Sequence, residues 1–323
     1  MSAGFQVLYR CIPAALITAC IFTSPLHAQQ DGLVRQARTD IAALGKHWDG
    51  DVARASSAAY AALHARIDTT GIRQESDIAY GDHPQQKIDL FVPEQGFREP
   101  GPVLVYFHGG GLNRGDKGTS GANVARYMAR MGGIGINANY RLVPDARFPD
   151  GAVDVRLILE WIGGHVAEYG GDPGNVLLMG NSAGATVIAG YLYYEAEQLP
   201  GGPGVAGAVL ASGAFRADDD PVRTAYFGAD PALRASRDPL GLVDTYQGKQ
   251  VPVFLFSAEY DVPSIETSVA QMYAKLCAKY QDCPMFTQFQ GHNHVSPALS
   301  IDTADDEVAW SLVHFYHSLI DKR

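Results

Sequence analysis

The pentapeptide Gly180-Asn181-Ser182-Ala183-Gly184 directly follows the apolar run Asn175-Val176-Leu177-Leu178-Met179 and leads into Ala185-Thr186-Val187. A short β-type run, a Gly-flanked Ser and a helix-compatible segment describe a strand, a sharp turn and a helix. A Ser at the tip of such a turn is held in a sparsely populated backbone conformation, its hydroxyl directed away from the sheet. Glycine flanks remove the side chains that would collide where strand and helix converge. This fits an activated nucleophile. It also fits an unreactive Ser in a tight turn, so the surrounding sequence has to decide.

Apolar β-type runs alternate with helix-period segments through most of the chain. Strands are expected near 75–80, 87–92, 103–107, 133–137, 176–179, 205–210, 251–257 and 285–289. Helices are expected near 123–131, 152–169, 265–280 and 305–320, with one running from the Ser turn to about residue 197. An Ala-rich helical opening spans 31–67, anchored by Ile41, Leu44, Trp48, Val52, Tyr60 and Leu63. Alternation at this spacing specifies an α/β class with a mainly parallel sheet covered on both faces. The first two strands, joined by Gly81-Asp82-His83-Pro84, read as antiparallel. Such sheets bind ligands outside the carboxyl ends of their strands, where three further motifs fall.

His108-Gly109-Gly110-Gly111 leaves the third strand, and consecutive Gly residues let backbone N–H groups approach a ligand. The N–H groups of Gly110, Gly111 and Ala183 are read as an oxyanion hole, with His108 bracing the loop; a plain flexible turn is the alternative. Asp261 leaves the strand at 251–257 and could orient an imidazole; Glu259 is the competing carboxylate. Gly291-His292-Asn293-His294-Val295-Ser296 supplies the base, His294 in preference to His292. The separations are 261 − 182 = 79 and 294 − 261 = 33 residues. Ser, then acid, then His is the order of one of the three well-known serine triads.

With these motifs in place, the chain resembles the α/β-hydrolase superfamily. The likeness is to its HGGG-bearing branch of hormone-sensitive-lipase-like esterases and the BD-FAE group. Asn139-Tyr140-Arg141-Leu142-Val143-Pro144-Asp145, continuing through Phe148-Pro149-Asp150-Gly151-Ala152-Val153-Asp154, is similar to that branch's second signature. So is Gly170-Gly171-Asp172-Pro173-Gly174-Asn175 before the Ser strand. The likeness covers roughly residues 74–320. Glu259-Tyr260-Asp261-Val262-Pro263-Ser264 lacks the D-P-L-x-D-E pattern of the hormone-sensitive-lipase-like members, and the Gly-His-Asn-His-Val ending is closer to the BD-FAE group. The resemblance implies an α/β-hydrolase fold with about eight strands and a small cap. It also implies a serine carboxylesterase that takes small-molecule esters of short acyl or aryl type and needs no cofactor. An amide-cleaving relative with the same triad, or a binding protein on the same scaffold, are the other readings.

Residues 215–249 break the alternation with repeated Pro, Gly and Asp, and with residues 29–70 they are expected to form the cap. Tyr226, Phe227 and Leu240 are candidates for a substrate pocket or for packing, and Asp218-Asp219-Asp220 reads as a solvated turn rather than a calcium site. Residues 1–28 read as a signal peptide: Arg10, an apolar run, then Leu26-His27-Ala28. Ile17-Thr18-Ala19-Cys20 is a lipoprotein-box alternative to free secretion. That run is too short to span a bilayer, so no integral membrane segment is expected in the mature catalytic domain, 29–323. Lys and Arg number 25 against 35 Asp and Glu; removing Arg10 with the leader gives 24 − 35 = −11, which argues against nucleic acid as a partner. Of the four Cys, Cys277 and Cys283 remain and are expected to form a short disulfide, two buried thiols being the alternative. No metal site is expected, since His292 and His294 alone offer too few ligands.

Overall fold

A computed structural model describes residues 25–320. Eight strands form one sheet: β1 (Ile72–Ala79), β2 (Lys87–Pro93), β3 (Gly101–Phe107), β4 (Ile134–Ala138), β5 (Gly171–Asn181), β6 (Gly207–Ala211), β7 (Val253–Tyr260) and β8 (Met285–Asn293). Their spatial order is β1-β2-β4-β3-β5-β6-β7-β8. β1 and β2 pair antiparallel, β2 runs antiparallel to β4, and every later pairing is parallel.

Side-chain alternation divides the interior into two cores, one per sheet face. Val103, Val105, Phe107, Leu178, Leu210 and Leu255 belong to one; Leu104, Tyr106, Met179, Val209, Phe254 and Phe256 belong to the other. The first is covered by α4 (Asp150–His165), α5 (Ala183–Leu192), α8 (Pro239–Thr245) and α9 (Pro263–Tyr280); the second by α3 (Ala122–Arg130) and α11 (Glu307–Ile320). Burial on both faces explains why the central strands are continuous apolar runs.

The helical opening expected at the N terminus consists of two helices. It forms α1 (Pro25–Leu44) and α2 (Gly50–His64), because Gly45 adopts φ +64° and the Asp49 side chain caps α2 by accepting from Asp51 N and Val52 N. Leu44 closes the first helix, whereas Trp48 stands in the break rather than on a helix face. This hairpin has its own small core of Ala37, Ile41, Tyr60 and Leu63, packed on Tyr260 and Leu299. The leader expected over 1–28, Cys11 and Cys20 included, lies outside the described residues up to residue 24.

Three further boundaries differ. The helix after Ser182 ends at Leu192, with one 3-10 turn at Glu195–Glu197. β8 continues to Asn293, past the expected end at residue 289, which carries His292 into the sheet, and a short α10 (Ser296–Ser300) follows. Residues 215–249 hold α6 (Pro221–Phe227), α7 (Pro231–Arg237) and α8, each with Pro at its start and an Asp cap. Asp220 is the cap of α6, and Asp218 pairs with Arg223. Among the described residues no helix is long and apolar enough to cross a membrane, and no cluster of His, Cys, Asp or Glu could hold a metal ion.

Candidate active site

In the sheet, β4 lies on one side of β3 and β5 on the other. A change of winding direction opens a crevice at the carboxyl ends of β3 and β5. The loop after β3 carries His108–Gly111 and the turn after β5 carries Ser182, so both Gly-rich motifs meet there. A cavity of about 890 Å³ opens at this point; Ser182, His294, Gly109, Gly110, Gly111 and Trp48 all contribute to its lining.

Ser182 has φ +54° and ψ −115°, a strained conformation for a residue with a Cβ. The turn is tight because helix and strand touch: a Cβ on Gly184 would overlap the Phe107 carbonyl. Ser182 N donates to Ala211 O at 2.8 Å and Thr186 N to Ser182 O at 3.1 Å, fixing the turn from both sides. Asn181, buried beside it, donates from Nδ2 to the His294 carbonyl at 3.0 Å, tying the Ser turn to the His loop.

His294 Nδ1 lies 2.7 Å from Asp261 Oδ1. Asp261 is fully buried, and its Oδ2 accepts from Ser212 Oγ at 2.6 Å and from Ala258 N at 2.8 Å. A buried carboxylate so saturated with donors keeps its orientation and fixes the ring that donates to it. Glu259 points elsewhere, accepting from Gly291 N at 2.7 Å. Neutral His292 is also placed apart: its Nδ1 meets Ser296 Oγ at 2.9 Å, and burial, then the charge of Arg38, push its pKa down to about 3.

The Gly-rich loop is held close. Gly110 has φ +128°, and a Cβ there would overlap the Arg114 carbonyl, so only glycine fits. Among the described residues the N–H groups of Gly110, Gly111 and Ala183 donate to no protein acceptor; Gly110 and Gly111 line the cavity, and Ala183 directly follows Ser182, which lines it too. His108 lies beneath the loop, its Nδ1 2.7 Å from Gly109 O and its ring stacked on Tyr140 at 4.6 Å. Burial lowers its pKa, so it is a neutral brace.

Trp48 is a wall that the sequence reading took for a helix anchor. Its ring meets that of His294 edge-on at 4.7 Å, and its neighbours Asp49, Gly50 and Ala53 line the cavity with it. Ser212 was missed as well, for nothing around Ala211-Ser212-Gly213 marks it. Conversely, Tyr226, Phe227 and Leu240 belong to the core, not to the cavity lining; Asp220, Val222 and Arg223 are the residues of that insertion at the cavity. Cys277 and Cys283 are joined in the structure, their Cα atoms 4.3 Å apart, at the end of α9.

Residues 104–246 match a family model described as an alpha/beta hydrolase fold. Esterase LipC of Mycobacterium tuberculosis is 31% identical over 131 residues, 39% of this chain and 32% of that protein. Secreted lipase 5 of Gibberella zeae is 32% identical over 170 residues, 45% of this chain and 30% of that protein. The chain thus spans about a third of the length of these curated relatives. Among solved structures, esterase B of Lactobacillus rhamnosis superposes with a TM-score of 0.69 at 18% identity, covering 91% of this chain and 97% of that one. The family match runs across both Gly-rich loops and most of the strands that carry them, and the fold is that of an α/β hydrolase.

Proposed function

We propose that this protein is a serine carboxylesterase. The observation that carries the reading is the 2.7 Å contact between His294 Nδ1 and buried Asp261 in a cavity shared with strained Ser182. With Nδ1–H committed to Asp261, His294 Nε2 is the atom left to take the Ser182 proton as Oγ attacks the ester carbonyl. The developing oxyanion is met by the N–H groups of Gly110, Gly111 and Ala183. The tetrahedral intermediate collapses, the bond to the alcohol oxygen breaks, and His294 returns the proton to it. Water then repeats the sequence on the acyl-Ser182 ester, releasing the acid and restoring Ser182.

Short acyl or aryl esters suit the cavity, whose walls combine Trp48, Ala53, Val262, Ile265 and Leu299. Residues 29–323 act as one catalytic domain, with residues 29–70 and 215–249 as its cap. Export through the leader at 1–28 agrees with the Cys277–Cys283 pair. Thiol titration of the denatured, unreduced protein checks that pair: no reactive Cys is expected from 277 and 283.

Hydrolysis of 4-nitrophenyl esters from two to twelve acyl carbons tests the whole reading. Turnover peaking at short chains is expected, falling by orders of magnitude in Ser182→Ala and His294→Ala and far less in His292→Ala. Activity retained without Ser182, or no turnover by the folded protein, overturns it. Turnover of matched amides in place of esters would make it an amidase instead.

A further inference from the structure

Five titratable residues other than Tyr106 line the cavity: Asp49, Asp220, Arg223, Arg114 and His294. Four have partners. Asp49 caps α2 and meets His47 Nε2 at 2.9 Å; Asp220 caps α6 through Val222 N and Arg223 N. Arg223 pairs with Asp218 at 2.5 Å, and His294 with Asp261. Arg114 has none: among the described residues its guanidinium makes no hydrogen bond, ion pair or ring contact.

Its placement is nonetheless fixed. Arg114 N donates to Gly110 O at 3.1 Å, so the residue is built onto the turn that presents the Gly110 and Gly111 N–H groups. Three residues on, Lys117 is buried, its Nζ 2.7 Å from both Asp77 and Asp89 and its N 2.6 Å from Asn139 Oδ1. Asn139 also holds Asp116, and Asn137 holds the Lys117 and Ser120 carbonyls. An exposed arginine without a partner is ordinary; one set on a pinned loop beside the free Gly110 and Gly111 N–H groups, in a cavity whose other charges are committed, is suited to receive an anion.

We infer that Arg114 binds a carboxylate on the substrate, so that the preferred ester is one whose acyl or alcohol part carries a negative charge. This rests on the esterase reading above. The net charge of −10 does not oppose it. Exposed charges farther off than about 8 Å are largely screened at physiological salt, so the nearest partner decides.

Two matched pairs test the inference and identify the charged half. The mono-4-nitrophenyl ester of adipic acid against 4-nitrophenyl hexanoate places the charge on the acyl side. 4-Acetoxybenzoate against 4-acetoxybenzamide places it on the alcohol side. A hydrogen bond to a charged group predicts about a tenfold higher kcat/KM for the anionic member of at least one pair. Arg114→Gln should bring that ratio near unity, and Arg114→Lys should keep most of it. No anionic preference in either pair overturns the inference, as does a preference that survives Arg114→Gln or that Arg223→Gln abolishes instead. An equal loss on both members of a pair does so too, since it reports damage to the Gly110 turn. Ser182-dependent hydrolysis of the neutral esters without anionic preference removes this site alone; no hydrolysis of any of the four removes the esterase reading with it.

Discussion

Two loops bring polar groups to the cavity, and they are held by opposite means. The loop at 108–121, with the Gly-rich turn, is fastened from the sheet: Asp77 lies on β1, Asp89 on β2, Asn137 on β4 and Asn139 just after it. The segment at 290–296, the end of β8 and the turn with His294, is fastened from outside. Arg38 on α1 donates to the Gln290 carbonyl and, through Nε and Nη2, to Asp305 at 2.8 and 2.6 Å. Tyr60 on α2 donates to Asp305 at 2.6 Å, and Ser56 accepts from Asn293 Nδ2 at 2.7 Å. The placement of the Gly-rich turn is therefore a property of the sheet. The histidine side depends on a hairpin more than 200 residues distant in sequence, so changes in that hairpin can shift His294 without touching the Gly-rich turn.

The largest effect expected is on the sheet side. Lys117→Met leaves Asp89, 6% exposed, without its buried counter-ion. Breaking such a pair costs about 3–5 kcal/mol, and in a domain of this size each kcal/mol lowers Tm by about 2–4 °C. Asp305→Asn keeps the shape of the other anchor but weakens three charge-assisted bonds, a loss of about 1–3 kcal/mol. Here the informative readout is catalytic. Active sites titrated with a phosphonate should show lower kcat per folded site, with KM for a neutral ester nearly unchanged. If Asp305→Asn lowers Tm and leaves kcat per titrated site intact, the hairpin is only a structural support and the contrast between the loops fails.

What the sequence disclosed follows the same division. Groups set by local pattern were legible: the Ser turn, the three glycines and the strand period all depend on residues within a few positions of one another. His294 and Asp261 were readable because each follows an apolar strand at the same sheet edge. Trp48 was not. It sits among helix formers, and only the φ +64° break at Gly45 and the Asp49 cap turn it toward His294. Nor was Arg38–Asp305, a pair 267 residues apart whose members look like ordinary surface charges in sequence. Tyr226 and Phe227 read as pocket or packing residues in sequence, and they pack in the core, where their apolar area is worth more. Pairings across the fold carry no periodic signature, so the hairpin's hold on the His loop had to be seen.

The smallest expected effect separates the two sides by pH. Each side contains a buried neutral histidine, His108 in the loop after β3 and His292 at the end of β8, and burial lowers the pKa of both. For His292 the folded value is about 3, against about 6.5 for the unfolded chain. A base whose folded pKa is depressed binds its proton only in the unfolded state over that window. Stability is therefore lost as pH falls below about 6.5, with a slope approaching 1.4 kcal/mol per pH unit for this group. At 4.0 Å, Asp305 opposes the shift without overcoming it, so the contact is not an ion pair at neutral pH. His292→Gln removes this titration while leaving His108 and the buried acids Asp154 and Asp238 in place. Denaturant unfolding of both proteins at pH 7 and 5.5 should show the wild type losing about 1 kcal/mol more than the variant between the two. Parallel losses would mean that His292 takes up a proton in the folded protein, and the hairpin would then be holding a charged ring beside Asp305.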